Sequence, residues 1–269
     1  MPAETTVLAH EAAMGADAFS FRLAGRAFAP HFHHAWVLGC VLSGRRQLMV
    51  QGRPYMAGPG DVVILRPGEV HACAPAGPAP FVWRGFHFRP GGVAAAQSRI
   101  LDEVRCAGPV LSAGQLLDQL LEAHALMGSR ASTAQKRAAL CQALDRLGAA
   151  ATRMQPVGPL PGSRPAEAGL EALRAHLERH APERFSLDDM AAVARMGKFR
   201  LVRAFARLTG ATPYRYLESA RVNHAQDLLE QGLPAAEAAL AAGFSDQAHL
   251  ARAFRTRLGV TPGACRRRP

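Results

Sequence analysis

Two stretches of this 269-residue chain are copies of one another. Residues 201–213, LVRAFARLTGATP, return 49 positions later as residues 250–262, LARAFRTRLGVTP, with Leu, Arg, Ala, Phe, Gly, Thr and Pro in register. Each copy has helical periodicity and two faces. Arg200, Arg203 and Arg207 follow i, i+3, i+7, while Leu201, Phe205 and Leu208 take apolar positions displaced around the same helix. The apolar side packs and the basic side is left for a partner. In the second copy Leu250 and Phe254 repeat the packing positions, and His249, Arg252 and Thr256 the outer ones.

Upstream of each copy lies a short, small-residue helix and a tight turn, DDMAAVARMG before Lys198 and AAEAALAAGF before Ser245. Helix, turn and basic second helix is the helix-turn-helix arrangement, whose second helix enters the major groove of DNA. Between the copies, residues 214–231 predict a helix roughly 27 Å long at ~1.5 Å per residue. That length can hold two reading helices about one DNA turn, ~34 Å, apart. A single chain could then read two successive major grooves.

Charge agrees with an anionic partner. The net charge is +11, shared about evenly between residues 1–154 and 155–269, and local runs are more telling. Between Met190 and Leu217 there are six Lys or Arg residues and no acid; beyond Asp246 there is no acid, and Arg266, Arg267 and Arg268 follow one another just before Pro269. The five cysteines, Cys40, Cys73, Cys106, Cys141 and Cys265, are widely spaced and form no CxxC, which argues against a disulfide framework or a zinc site and predicts reduced, packed thiols. No basic segment followed by an apolar core opens the chain, and no stretch approaches the ~20 apolar residues of a membrane helix. A cytoplasmic protein with no membrane partner is expected.

The composition changes along the chain. Residues 1–95 carry short apolar runs such as WVLGCVL, RQLMVQG, DVVILRP and FVWRGFHF, separated by Gly or Pro turns, the pattern of a β-barrel or sandwich. From Ala113 to Met154 Leu and Ala dominate, with one stripe at Leu116, Leu117, Leu120 and Leu121 and another at Leu140, Leu144 and Leu147. Such stripes serve as core or as a dimer face. QPVGPLPGSRP, residues 155–165, holds four prolines and two glycines and reads as a linker. Beyond it, Pro165 to His180 predicts a helix, and Ser186 with Asp189 a capping box. Thr212-Pro213 and Thr261-Pro262 each place an N-cap residue before a proline at the first helical position.

The C-terminal hundred residues resemble the AraC/XylS family of bacterial transcription regulators. The resemblance rests on SLDDMAAVARMGKFRLVRAFARLTGATPYRYLESARVNHAQDLLEQG followed by AALAAGFSDQAHLARAFRTRLGVTPGACRR. It implies that Phe199, Arg200 and Arg203 face bases and Lys198 and Arg207 phosphates, with Gln247, His249 and Arg252 in the reading positions of the second helix. The chemistry is compatible: Arg can bond guanine O6 and N7 together, and Gln can bond adenine N6 and N7, each pair discriminating by ~1–3 kcal/mol. Gly197 stands where the family usually has a Ser N-cap, and Ala248 replaces a common Ser.

The N-terminal half more weakly resembles the cupin-like sensor domain of the same family, through HFHH at 31–34 and GPGDVVILRPGEVH at 58–71. On a strand His31 and His33 share one face and His34 takes the other. His71 and His87 could join the pair inside the barrel, and Glu69 and Arg84 are either polar pocket groups or surface charges. Convergent histidines would normally suggest a metal. The cupin enzyme pattern also wants a Glu soon after the His pair, where this chain has Val37 and Leu38, so a pocket without metal or cofactor is expected, with a metal site or purely structural histidines as alternatives.

The combined expectation is an α+β chain: a cupin-like ligand-sensing barrel over 1–95, a helical dimerisation and connecting segment over 96–154, a linker over 155–165, and an all-α domain with two helix-turn-helix units over 166–269. Its function would be that of an effector-responsive regulator, not an enzyme, binding double-stranded DNA as a homodimer, responding to a small-molecule effector and activating through RNA polymerase. Two alternatives stand beside it: a metal-dependent cupin enzyme with an accessory helical half, and a regulator without an effector.

Overall fold

The computed structural model describes residues 4–112, 114, 116–151, 168–259 and 261–265. The expected linker at 155–165 and the terminal Arg266–Arg268 lie outside the described residues. Among the described residues the N-terminal half has ten strands: β1 Glu4–Glu11, β2 Ala16–Leu23, β3 Phe28–His31, β4 Trp36–Ser43, β5 Arg46–Val50, β6 Arg53–Ala57, β7 Asp61–Leu65, β8 His71–Pro75, β9 Phe81–Phe88 and, after the first helix, β10 Val110–Ser112. They form two sheets, a six-stranded one in the order β1-β2-β9-β4-β7-β10 and a four-stranded one in the order β3-β8-β5-β6. Their inner faces enclose a core of Phe19, Val37, Val41, Leu48, Val50, Val63 and Leu65.

The outer face of the larger sheet is covered as well. Helices α1 Gly92–Ala107, α2 Leu116–Met127 and α3 Thr133–Ala151 pack Leu101, Val104, Leu120, Leu140, Leu144 and Leu147 onto Trp36, Leu38, Cys40, Ile64 and Phe86. Val37 and Val41 therefore face the barrel interior while Leu38 and Cys40 face the helices, which is why β4 is a continuous apolar run. β5, covered on one face only, alternates instead: Leu48 and Val50 are buried, Gln47 and Met49 exposed. The leucine stripes of α2 and α3 thus belong to the core. The expected boundary at residue 95 falls within α1, and β10, past that boundary, adds a strand to the barrel beside β7. The thiols are less uniform than expected, since Cys40 is buried but Cys106 is exposed.

Seven helices follow among the described residues: α4 Ala168–Arg179, α5 Leu187–Ala194, α6 Lys198–Thr209, α7 Pro213–Glu230, α8 Ala235–Ala241, α9 Gln247–Leu258 and α10 Pro262–Cys265. The capping box starts α5: the Asp189 amide donates to Ser186 Oγ at 3.1 Å, and the Ser186 amide to Asp189 Oδ2 at 2.8 Å. Thr212 occupies the N-cap of α7, yet its side chain makes no capping bond, and Pro213 carries the start. The repeated glycines, Gly210 and Gly259, close α6 and α9 with φ of 80° and 74°, a conformation that costs glycine least. Leu173, Leu201, Phe205 and Tyr216 centre one helical core, and Leu229, Leu250 and Phe254 the other. No helix of the described residues is long and apolar enough to cross a membrane.

Candidate functional site

The helix pairs α5–α6 and α8–α9 present their second helices in the same way. In α6 Leu201, Ala204 and Phe205 are buried, leaving Lys198, Phe199, Arg200, Arg203 and Arg207 exposed; Phe199, at 86% exposure, is an unusual position for a phenylalanine. Lys198 Nζ lies 2.9 Å from Asp188 Oδ1, a surface pair that a phosphate can displace. In α9 Leu250, Ala253 and Phe254 are buried, and Gln247 and Arg252 are exposed. His249 is more constrained. Its Nδ1 is 3.2 Å from Ser245 Oγ and its ring meets Phe244 edge-on at 5.0 Å.

The two helix starts differ. Asp246 caps α9, accepting from the His249 amide at 2.7 Å, and that bond, followed by one from the Ser245 hydroxyl, holds its carboxyl below the usual carboxylate range. Gly197 supplies α6 with no side-chain cap, so its first amides point outward. The 18-residue α7 joins the two units.

Inside the barrel the histidines converge. His31 ends β3 and His71 begins β8, paired across the sheet with ring centroids 4.3 Å apart. His33, in the turn after β3, is 5.1 Å from His31 and 5.2 Å from His71. One ring nitrogen from each of the three lies within 4.8 Å of the other two. His87 reaches in from β9 on the opposite sheet, 5.3 Å from His33, beside the trio. Burial pushes the pKa of all four downward. For His33 the neighbouring imidazoles of His31, His71 and His87 push the same way, and His87 falls to about 4. These rings are neutral at physiological pH.

Glu69 and Arg84 do not share that pocket. The Glu69 carboxylate is buried against the Arg105 guanidinium of α1, both side chains under 3% exposed, and also accepts from the Arg66 amide at 3.0 Å. Arg84 lies on the exposed surface. Glu69 acts on the cluster through its backbone, since its carbonyl accepts from His71 Nδ1 at 3.0 Å. At the other end of the barrel Arg46, 2% exposed, puts a fixed positive charge 5.3 Å from each of the Phe28 and Phe81 rings.

The barrel joins the helices through the residue that separates two of its histidines. Phe32, between two cluster histidines, points the other way and stacks on Tyr216 of α7 at 4.5 Å. Its amide donates to Ser219 Oγ at 3.1 Å, and its carbonyl accepts from Asn223 Nδ2 at 3.0 Å. Val70, one residue before His71, joins the same core. Gly210, at the end of α6, abuts Gly52 and Val70, and Gly259, at the end of α9, abuts Phe28 and Leu23. Arg89 spans the join from the barrel side, 2.5 Å from Glu230 of α7 and 3.0 Å from Asp17 of β2. The sensor half therefore touches the C-terminal ends of both reading helices. A signal for this existed: if His31 and His33 face inward, the phenylalanine between them must find cover outside the barrel.

Two family models match the chain: an AraC-like ligand binding domain over residues 15–144 and a helix-turn-helix domain over residues 190–268. The HTH-type transcriptional regulator YbfI of Bacillus subtilis is 28% identical over 253 residues, 93% of this chain and 91% of the relative. The MmsAB operon regulatory protein of Pseudomonas aeruginosa is 27% identical over 223 residues, 80% of this chain and 68% of the relative. Among solved structures, ToxT from Vibrio cholerae superposes with a TM-score of 0.56 at 10% identity, over 92% of this chain and 96% of ToxT. That likeness is one of fold.

Proposed function

The chain belongs to the AraC-type transcriptional regulators, a ligand-binding domain joined to a helix-turn-helix DNA-binding domain, and from that premise we propose how it engages DNA. Helices α6 and α9 enter two successive major grooves of one operator. Arg200, Arg203, Gln247 and Arg252 read base edges, Phe199 makes apolar contact with a thymine methyl, His249 adds a single polar contact, and Lys198 and Arg207 bind phosphates. The observation that carries this reading is the matched presentation of α6 and α9: buried apolar positions in register and exposed basic ones outward, twice in one chain.

Effector binding in the barrel, beside His31, His33, His71 and His87, shifts the population between arrangements of the two reading helices, because the barrel touches the ends of both. ToxT, which shares this fold, has been solved with an unsaturated fatty acid bound, which supports a ligand-responsive regulator here. The reading also takes the protein to be a cytoplasmic homodimer that activates by touching RNA polymerase, as the family resemblance implies. Since the leucine stripes of α2 and α3 face the sheet, a dimer contact would fall on their outer faces, near Gln119, Glu122, Gln142 and Arg146.

Hydroxyl-radical footprinting tests the reading on a DNA fragment recovered by binding to the purified protein. Two protected patches about one helical turn apart on one face of the duplex are expected. A single patch that neither Arg203→Ala nor Arg252→Ala alters would sink it.

A further inference from the structure

We propose that the effector of this sensor is a first-row transition-metal ion of the zinc class, held by His31, His33 and His71, and that Phe32 and Val70 carry its arrival to the reading helices. This rests on the regulator reading above and supplies its ligand class.

Two of the three imidazoles are already held in a donor orientation by backbone carbonyls. His31 Nδ1 donates to the Ala29 carbonyl at 2.8 Å and His71 Nδ1 to the Glu69 carbonyl at 3.0 Å. Each bond fixes a ring and leaves its Nε2 with a free lone pair, the role that outer partners play around metal-bound histidines. Bonds of ~2.0–2.1 Å in a tetrahedral site would set the ligand nitrogens roughly 3.3 Å apart. The present nitrogens lie within 4.8 Å of one another, so an ion that closes them to that spacing draws the two segments together by up to about 1.5 Å.

Three neutral imidazoles with no carboxylate suit Zn²⁺, Cu²⁺, Ni²⁺ or Fe²⁺ and disfavour Mg²⁺ and Ca²⁺. Three histidines and a water also suffice to hold zinc. The absence of an acid at Val37 and Leu38 therefore removes a fourth ligand without removing the site.

The same two backbone segments carry the signal. Phe32 lies between two of the ligands and Val70 beside the third, and both side chains sit in the core that Leu201, Phe205 and Tyr216 build. Drawing His31, His33 and His71 onto one ion moves residues 31–33 and 70–71. Their alternate side chains then move against α7 and the end of α6. The second reading helix also borders the cluster's strand, since Gly259 at the end of α9 abuts Phe28 of β3, the strand that ends at His31. The buried Glu69–Arg105 pair anchors the residue before Val70, so movement is passed toward the helices.

The test uses the full-length protein, stripped by a chelator and dialysed, with Co²⁺ as the spectroscopic probe and Zn²⁺ as the ligand in DNA-binding assays at fixed salt. One equivalent of Co²⁺ should give the visible bands of four-coordinate cobalt, lost in His33→Ala and kept in His176→Ala, which removes the surface pair His176–His180, 4.5 Å apart. Zn²⁺ should tighten wild-type operator binding by about tenfold. Phe32→Ala should keep the cobalt spectrum and lose the Zn²⁺ response. Should that variant fail to fold, Ser219→Ala with Asn223→Ala breaks the same join. No cobalt bands, or bands that survive His33→Ala, would overturn the metal site while leaving the regulator reading standing if sequence-specific DNA binding persists. Bands without any change in DNA affinity would overturn the coupling. Loss of sequence preference in the wild type under all conditions would instead strike the regulator reading itself.

Discussion

Truncating Phe32 to alanine is the perturbation that most tests how the two halves communicate. The side chain is 1% exposed and belongs to neither the barrel core nor a helical core alone. It stacks on Tyr216 at 4.5 Å, and its loss opens a cavity at the join. Phe→Ala in a packed core costs about 3–5 kcal/mol. Here that loss falls on docking of the barrel against α7, because the Phe32 amide and carbonyl keep their bonds to Ser219 and Asn223. At 1.4 kcal/mol per decade, the low end of that range moves the docked-to-undocked ratio by over ~100-fold. Docking leaves Arg203, Gln247 and Arg252 exposed, so it does not block DNA; it fixes the mutual orientation of α6 and α9. Undocking should therefore weaken operator binding, by up to ~100-fold if the docked arrangement is the competent one. Calorimetry should show the helical domain melting separately from the barrel, and anisotropy at fixed salt should show the affinity loss. A variant that melts as one unit within about 1 kcal/mol of wild type, with unchanged operator affinity, would refute this account of the join.

Other perturbations separate the roles assigned to single residues. Arg105→Met leaves the Glu69 carboxylate buried without its partner and should cost about 3–5 kcal/mol in urea unfolding, with weaker cobalt binding through the displaced His71; a change under 1 kcal/mol would place Glu69 nearer solvent than the structure does. Arg203→Ala should cost about 1–3 kcal/mol and relax preference at one base position, whereas Lys198→Ala should weaken all sequences alike and flatten the salt slope. Uniform loss in both would show the assignment to be wrong. Asp246→Ala should lower the melting temperature at pH 7. The folded-state pKa of Asp246 is lowered, so its stabilisation is full above the unfolded carboxylate pKa and is lost as pH falls through the folded value. The melting difference between variant and wild type should therefore close below about pH 4, and a difference independent of pH would contradict the cap.

The helical half was legible because its information is local. Gly210 and Gly259, the two Phe-centred apolar stripes and the Ser186–Asp189 box lie within a few residues of what they determine, and α7 falls within a residue of its predicted span. The barrel was legible as short runs between turns, and HFHH placed His31 and His33 on a common face. Pairings across long stretches of chain were not. Arg105 claims Glu69 from 36 residues away, and no spacing rule distinguishes that carboxylate from a pocket group. Phe32 meets Asn223 across 191 residues, and its apolar character reads equally as barrel core. The stripes of α2 and α3 carry the same pattern whether they cover a sheet or a second subunit, and only the buried positions of Leu120, Leu140 and Leu144 decide it.

The central claim, a tandem DNA reader under the control of its barrel, is tested most directly by selecting bound fragments from random DNA with the purified full-length protein. The selection is made at stated salt, with Arg203→Ala and Lys198→Ala alongside. The account predicts a motif of two half-elements centred about ten base pairs apart, with one position blurred in the Arg203 variant and the whole motif retained, more weakly, in the Lys198 variant. Enrichment of a single half-element, or of no sequence with and without Zn²⁺, would contradict it.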